Sequence, residues 1–335
     1  MTEEIAAPSL QDFSKGQLSI GKVVAILLKI AVTIGCFWYI SRQINVADLR
    51  SGLASLDVRW ASLATALLFL QIPLLALRWF EILNVTKATG DRVTYKGTLV
   101  ATIMGQFVSQ VLPTAIGDAV RVWYVSRLGR DWRNGTMSVV IDRCIGIGLL
   151  LAFAFFILLW PSRLDVLGGY RLEVLSVFGA ILVLSVIALE FGARLAPILT
   201  RWTYARWLAA LFVASRSVVF GWRGPSIIGV GCLIHVLTIA TVWSLGRALG
   251  LSLTMADAAV LFTIMIGVGL VPISISGWGL REFAVVSLLG SYGMSPERAL
   301  TFSMYFGLAG VIASLPGAFA WIVFSMPRAV RPRQD

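Results

Sequence analysis

The sequence predicts an all-α polytopic membrane protein with about six full spans and two re-entrant helical hairpins arranged as an inverted repeat. Three observations predict it. First, 58% of the residues are hydrophobic and 13% are charged, with a mean hydropathy of +0.85. A soluble domain carries about 25% charged residues, so the solvent of this chain is a bilayer, and a soluble globular enzyme, a disordered chain and a coiled coil are excluded. Second, apolar stretches long enough for a hydrocarbon core of about 30 Å recur at 23–40, 60–77, 137–160, 172–193, 226–249 and 299–326. Third, two further apolar stretches stop at Pro113 and Pro272, and each is followed by a Gly-containing break and a short charged segment.

In chain order, residues 1–19 carry Glu3, Glu4 and Asp12 where a cleavable signal would be basic, and read as a cytoplasmic tail. A single transmembrane domain follows over 20–326, its first repeat at 20–160 and its second at 172–326, and 327–335 is a basic tail. Spans 23–40 and 60–77 lead into 95–112, which ends at Pro113. The segment beyond it, 118–128, makes a helix of only about 16 Å, too short to cross, so the two together read as a hairpin that returns to the side it entered. Spans 137–160 and 172–193 come next. Residues 200–223 interleave Arg201, Arg206, Arg216 and Arg223 with Trp202, Tyr204, Trp207 and Trp222, the pattern of an interfacial helix on an anionic leaflet. After span 226–249, segments 255–271 and 278–290 form the second hairpin around Pro272, and 299–326 closes the domain. The alternative is eight spans, with both hairpins crossing.

The chain has 28 basic against 17 acidic residues, a net charge of +11. In a soluble protein such a balance suggests nucleic acid; here its placement decides. With the N-terminus inside, 18 basic residues fall on the inside, Arg78 and Arg121 among them, and seven outside, while Lys29, Arg143 and Arg281 lie within membrane segments. This is the positive-inside bias. It places both termini in the cytoplasm and leaves nothing for nucleic acid to explain. Cys36, Cys144 and Cys232 sit far apart in apolar runs and read as buried small hydrophobes. No Gly-Lys-Ser/Thr phosphate loop occurs, and His235 alone cannot build a zinc site, so no cofactor and no metal is expected.

Apolar segments interrupted by Gly or Pro at corresponding positions of two halves point to a transporter's substrate site. Irregular backbone at membrane depth also requires protein or a water-filled cavity around it. Thr102, Gln106, Ser109, Gln110 and Pro113 share a helical face and are expected to line that cavity. The breaks carry Gly117-Asp118-x-x-Arg121 and Gly277-Trp278-Gly279-Leu280-Arg281-Glu282, and Asp142-Arg143 follows in the next span. Asp118 reads as an N-cap or as a partner of Arg121. The pairs Asp118/Arg121, Asp142/Arg143 and Glu282/Arg281 sum to zero. They read as a neutral network locking the hairpins, or as arginines lent to a lipid phosphate, which suits the guanidinium fork. The candidate substrate-binding residues are therefore Gln106, Gln110, Asp118, Arg121, Asp142, Arg143, Arg281 and Glu282, and the candidate breaks are Pro113, Gly117, Pro272, Gly277 and Gly279. His235 reads as a hydrogen-bonded packing residue, with proton coupling as the alternative, and Lys29 as a snorkelling side chain.

Through Gly105–Arg121, Asp142-Arg143 and Leu270–Glu282 the sequence resembles the flippase-like family named for the transmembrane region of lysylphosphatidylglycerol synthase, whose domain also forms the flippase half of the multiple peptide resistance factor. It departs from many relatives in having Ile116 rather than glycine before Gly117, and Asp142 where glutamate is commoner. The resemblance implies movement of lipids between leaflets of a bacterial-type inner membrane. The implied partners are membrane lipids: an anionic or aminoacylated phospholipid, or a polyprenyl- or hopanoid-linked lipid. No soluble synthase domain is recognised in the sequence, so the chain is not expected to be an enzyme. Two rival readings remain at this stage. One is an integral-membrane enzyme acting on a lipid-linked phosphate or sugar through Asp118 and Glu282. The other is an anchor for a synthase partner.

Overall fold

The computed structural model describes Trp38 and residues 56–86, 93–159, 168–270, 278–290 and 293–325. The predicted span 23–40 apart from Trp38, with Lys29, Cys36, Pro272, Gly277 and both tails, lies outside the described residues. Among the described residues the regular structure is entirely helical: α1 (Val58–Val85), α2 (Tyr95–Val111), α3 (Thr114–Arg127), α4 (Trp132–Leu159), α5 (Arg171–Leu199), α6 (Arg206–Phe220), α7 (Gly224–Ala248), α8 (Met255–Leu270), α9 (Leu280–Gly290) and α10 (Pro296–Ser325), with two short 3-10 turns. Five of them, α1, α4, α5, α7 and α10, are long and apolar enough to cross a membrane. The chain is a multi-pass, all-α membrane protein.

Side chains set the helix ends. Asp57 accepts the amide of Arg59 at the start of α1, and Thr94 that of Gly97 at the start of α2. Thr254 and Asp257 cap one another at the start of α8. Helices α3 and α9 end alike: Gly129 at φ +94° and Gly293 at φ +76° turn the chain, and the next amides, of Arg130 and Met294, return to Val125 and Leu289. The following helices then start alike, Asp131 accepting the amide of Asn134 and Ser295 that of Arg298.

The longest interface is the antiparallel pair α1–α7. Asp57 N donates to Ala248 O at one end, Trp60 meets Trp243 edge to face, Thr238 donates to Gln71 midway, and Arg223 pairs with Glu81 at the other end. Around this pair the packing of α2, α3 and α4 has a counterpart in that of α8, α9 and α10, whereas α5 and α6 have none among the described residues. Helix α2 packs on α1 and α8 on α7; α3 packs on α4 and α9 on α10; α2 packs on α10 and α8 on α4. Because α1 and α7 run antiparallel, the two sets are inverted. The hydrophobic core divides accordingly. One cluster joins α1–α4 with Ala320 of α10, a second joins α7–α10 with Ala64 of α1 and Leu150 of α4, and a small third, Ile82, Ile141, Val218 and Ile227, ties α1 and α4 to α6 and α7.

Several sequence-based boundaries shift. The apolar run of 60–77 belongs to a helix that continues to Val85, because Ile82 and Leu83 resume the buried face after Arg78. Arg78 is therefore a buried helix residue and not a loop cation. Helix α6 folds back along the end of α5, with Phe212 over Gly192 and Arg216 bonded to Glu190. It is held by protein on one side instead of lying alone at the interface as the 200–223 pattern suggested. Its approach still exposes Trp202, Tyr204 and Trp207. Cys144, read as buried, faces outward from α4. His235 packs between Phe153 and Phe262.

Candidate substrate site

The first hairpin is close-packed through glycine. A Cβ on Gly105 would collide with Arg121 and the Gly117 carbonyl, and one on Gly117 with Ser109 and the Gly105 carbonyl. The absence of these two side chains lets α2 and α3 touch backbone to backbone. The predicted polar face of α2 consequently splits. Ser109 is used up against α3, whereas Gln110 points at α10, where a Cβ on Gly310 would lie 3.2 Å from its Nε2. Thr102 is buried on α2 and Gln106 half-buried. Ser109 and Gln110, adjacent in sequence, thus serve different helices.

Backbone contact brings Arg121 to the centre of an alternating chain of five charged side chains. Arg78 donates from Nε to Asp142 at 2.9 Å, and Arg121 donates from Nη2 to the other oxygen of Asp142 at 3.1 Å. Arg121 also approaches Asp118 at 3.3 Å, and Arg143 binds Asp118 with two donors at 2.8 and 2.6 Å. The order is thus Arg78, Asp142, Arg121, Asp118, Arg143, with a net charge of +1. Trp79, fully buried and held by Ser138, lies under the Arg121 guanidinium at 4.1 Å. Side-chain exposure is 7% or less at Arg78, Asp142 and Arg121 and then climbs to 17% at Asp118 and 40% at Arg143. One end is sealed in protein and the other is open.

Three expectations are corrected here. Asp142 and Arg143 are not partners: neighbours on a helix point about 100° apart, and each finds its counter-charge on another helix. Asp118 is not an N-cap, because α3 begins a turn earlier, at Thr114 after Pro113, and its carboxylate is spent on arginines. Arg78, absent from the candidate list, is the third cation. The hint lay in the apolar residues on both sides of it.

The second hairpin has a smaller cluster. Glu282 is fully buried and accepts from Arg281 at 3.0 and 2.6 Å, from Ser303 at 3.1 Å, and from the amide of Gly279 at 2.6 Å, which caps α9. Gly279 sits at φ +83°, a conformation favouring glycine. The matching ends of α3 and α9 set Glu282 opposite Asp118 in the repeat, and Gly307 opposite Arg143. A Cβ on Gly307 would strike Arg281 and Trp278. The arginine is thus supplied from α9 here and from the following span in the first repeat, yet each carboxylate holds a guanidinium.

Described residues of both hairpins meet α10. Trp278 and Arg281 lie against Gly307, and Gln110 lies against Gly310, about one turn further along and near the middle of a 30-residue helix. The five-residue chain therefore lies toward the end of the molecule that carries Val85 and Gly224, and the Arg281–Glu282 cluster toward the opposite end.

No curated protein matches the chain. The model of the family described as the lysylphosphatidylglycerol synthase TM region matches residues 26–317. That range takes in both hairpins, both charged clusters and the first part of α10 as far as Gly317, and the chain belongs to this family.

Proposed function

We propose that the protein moves lipids with phosphate-bearing headgroups between the leaflets of a bacterial-type inner membrane, with both termini in the cytoplasm. The observation that carries this reading is the open end of the charged chain. Arg143 is two-fifths exposed on a membrane helix, already oriented by two hydrogen bonds to Asp118, and part of a cluster with one positive charge in excess. A phosphate competes with a carboxylate for the same fork of donors, so a headgroup entering beside α4 takes over Arg143. Asp142 meanwhile keeps Arg78 and Arg121 in place. The second cluster holds Arg281, only 12% exposed, against Glu282 toward the opposite end of the molecule, so an alternating exposure of the two repeats uncovers it and passes the headgroup from one guanidinium to the other. Asp118 and Glu282 act as counter-ions that reclaim the arginines when the site empties, not as acid–base catalysts; each already accepts hydrogen bonds from a guanidinium.

The test is purified protein in liposomes carrying a headgroup-labelled phospholipid, with label reduction from outside reporting transbilayer movement. Wild-type protein is expected to accelerate the movement. Arg143→Ala and Arg281→Ala are each expected to slow it by at least about tenfold, the rate equivalent of roughly 1.4 kcal/mol. Wild-type vesicles no faster than empty ones, across anionic and zwitterionic headgroups, would exclude the proposal.

A further inference from the structure

The near-identity of the two hairpin-to-span turns exposes a difference between them. In the first repeat the residue after the left-handed glycine is Arg130. It is buried, and its guanidinium donates to Leu83 O at 3.3 Å and to the carbonyl and hydroxyl oxygens of Thr86 at 2.7 and 2.9 Å. It thereby fills the space between that turn and the C-terminus of α1. In the second repeat the equivalent residue is Met294, which has no donor to offer, and the corresponding space against the end of α7 is open. A cavity of about 650 Å³ lies there, bounded by the α7–α8 turn, Asp257, Leu289 and the segment from Gly293 to Arg298. Its lining is mixed: Ser252, Asp257, Ser295 and Arg298 face Leu251, Leu289 and Met294. The size is that of a small-molecule site. Its level is that of the ends of α7, α9 and the starts of α8 and α10, where headgroups of the leaflet opposite the basic loops reside.

We infer that this cavity binds the phosphate-bearing headgroup of a lipid in that leaflet, with Arg298 as the cation. It serves as the station from which the second hairpin receives a lipid or to which it delivers one. The ligand class rests on the transport reading above; the cavity does not. Arg130 closes the equivalent space at the other end, so the two faces of the protein handle lipid differently despite the repeat.

The experiment uses full-length protein in nanodiscs containing a phosphatidylglycerol analogue with a photoactivatable group on its headgroup, followed by peptide mapping. Wild-type protein is expected to be labelled in 250–257 and 289–298. Met294→Arg, which installs the plug of the first repeat, and Arg298→Ala are each expected to lower that labelling by at least about tenfold. Arg143→Ala is expected to keep it, and an excess of inorganic phosphate to leave it unchanged. Thermal unfolding checks that Met294→Arg is folded, and Arg298→Ala stands in if it is not. Labelling of these segments no greater than of lipid-facing α5, or equal labelling in both variants, overturns the inference. Competition by inorganic phosphate assigns the cavity to a free anion and overturns the lipid reading. If mapping succeeds but wild-type vesicles move no lipid, transport falls and the binding site stands.

Discussion

Asp142 and Asp118 are chemically the same residue with different duties, and burial decides which is which. Asp142 is 3% exposed at its side chain and holds two guanidiniums that are almost as buried. Asp142→Asn leaves Arg78 and Arg121 without an ionised partner, and breaking a buried ion pair from one side costs about 3–5 kcal/mol. We expect that variant to lose most of its folded yield and to unfold at markedly lower temperature in detergent. Asp118→Asn releases only the open end of the chain. Its expected signature is near-normal unfolding with slowed lipid movement, since Arg143 is no longer oriented for a phosphate. A sequence reader can find Asp118, Asp142, Arg143, Arg281 and Glu282 because a charge inside an apolar run stands out. The partners are another matter. That Arg143 crosses to Asp118 and that Arg78 completes the set depends on helix rotation and on where α1 ends, neither of which the local pattern of residues specifies.

Among elements, the first hairpin shows how backbone approach makes the site. Gly105 and Gly117 are where the backbones of α2 and α3 meet, and Arg121 emerges beside that contact. Gly105→Leu has to push α3 away. The expected cost is at least the 1–3 kcal/mol of an overpacked core, together with displacement of Arg121, read as a lower unfolding temperature and faster proteolysis. Gly148→Leu, on a spanning helix with nothing within 4 Å of its missing side chain, is the matched control and should unfold with wild type. The proline and glycine punctuation made both hairpins legible from sequence, down to the break at Pro113. The division of labour on α2 was not legible, because Ser109 and Gln110 are only one residue apart and serve different neighbours. Helix α6 illustrates the same limit. Its basic and aromatic residues fit a membrane surface, while its packing against α5 depends on Gly192, which carries no signal in a hydropathy profile.

For the whole molecule, sidedness is the property to test. With the three native cysteines replaced by serine, Tyr204→Cys in the turn between α5 and α6 should react with an impermeant thiol reagent only from the cytoplasmic side. Tyr170→Cys, at the start of α5, should react only from the opposite side. Both tyrosines are well exposed. The reverse result would invert the topology and with it the direction assigned to the two clusters. The five spans among the described residues fall where hydropathy predicts them, and the inverted relation of the halves follows the paired proline and glycine breaks, which is why so much of the architecture was legible in composition and pattern. The asymmetry between Arg130 and Met294 was not legible, because their equivalence is set by the matching left-handed turns at Gly129 and Gly293 and not by any local pattern of residues.

The interlocked cores carry a consequence for biosynthesis. The cluster around α1–α4 is completed by Ala320, and α2 presents Ile103, Phe107 and Gln110 to glycines of α10, the last helix described. A ribosome therefore delivers the first half to the membrane well before the surface that covers it exists. The early hairpin must wait for α10, with Arg121 already paired with Asp118 and, once α4 is in place, with Asp142. The internal charge chain is self-contained within α1, α3 and α4, so an unfinished chain keeps its cations out of the lipid during that wait.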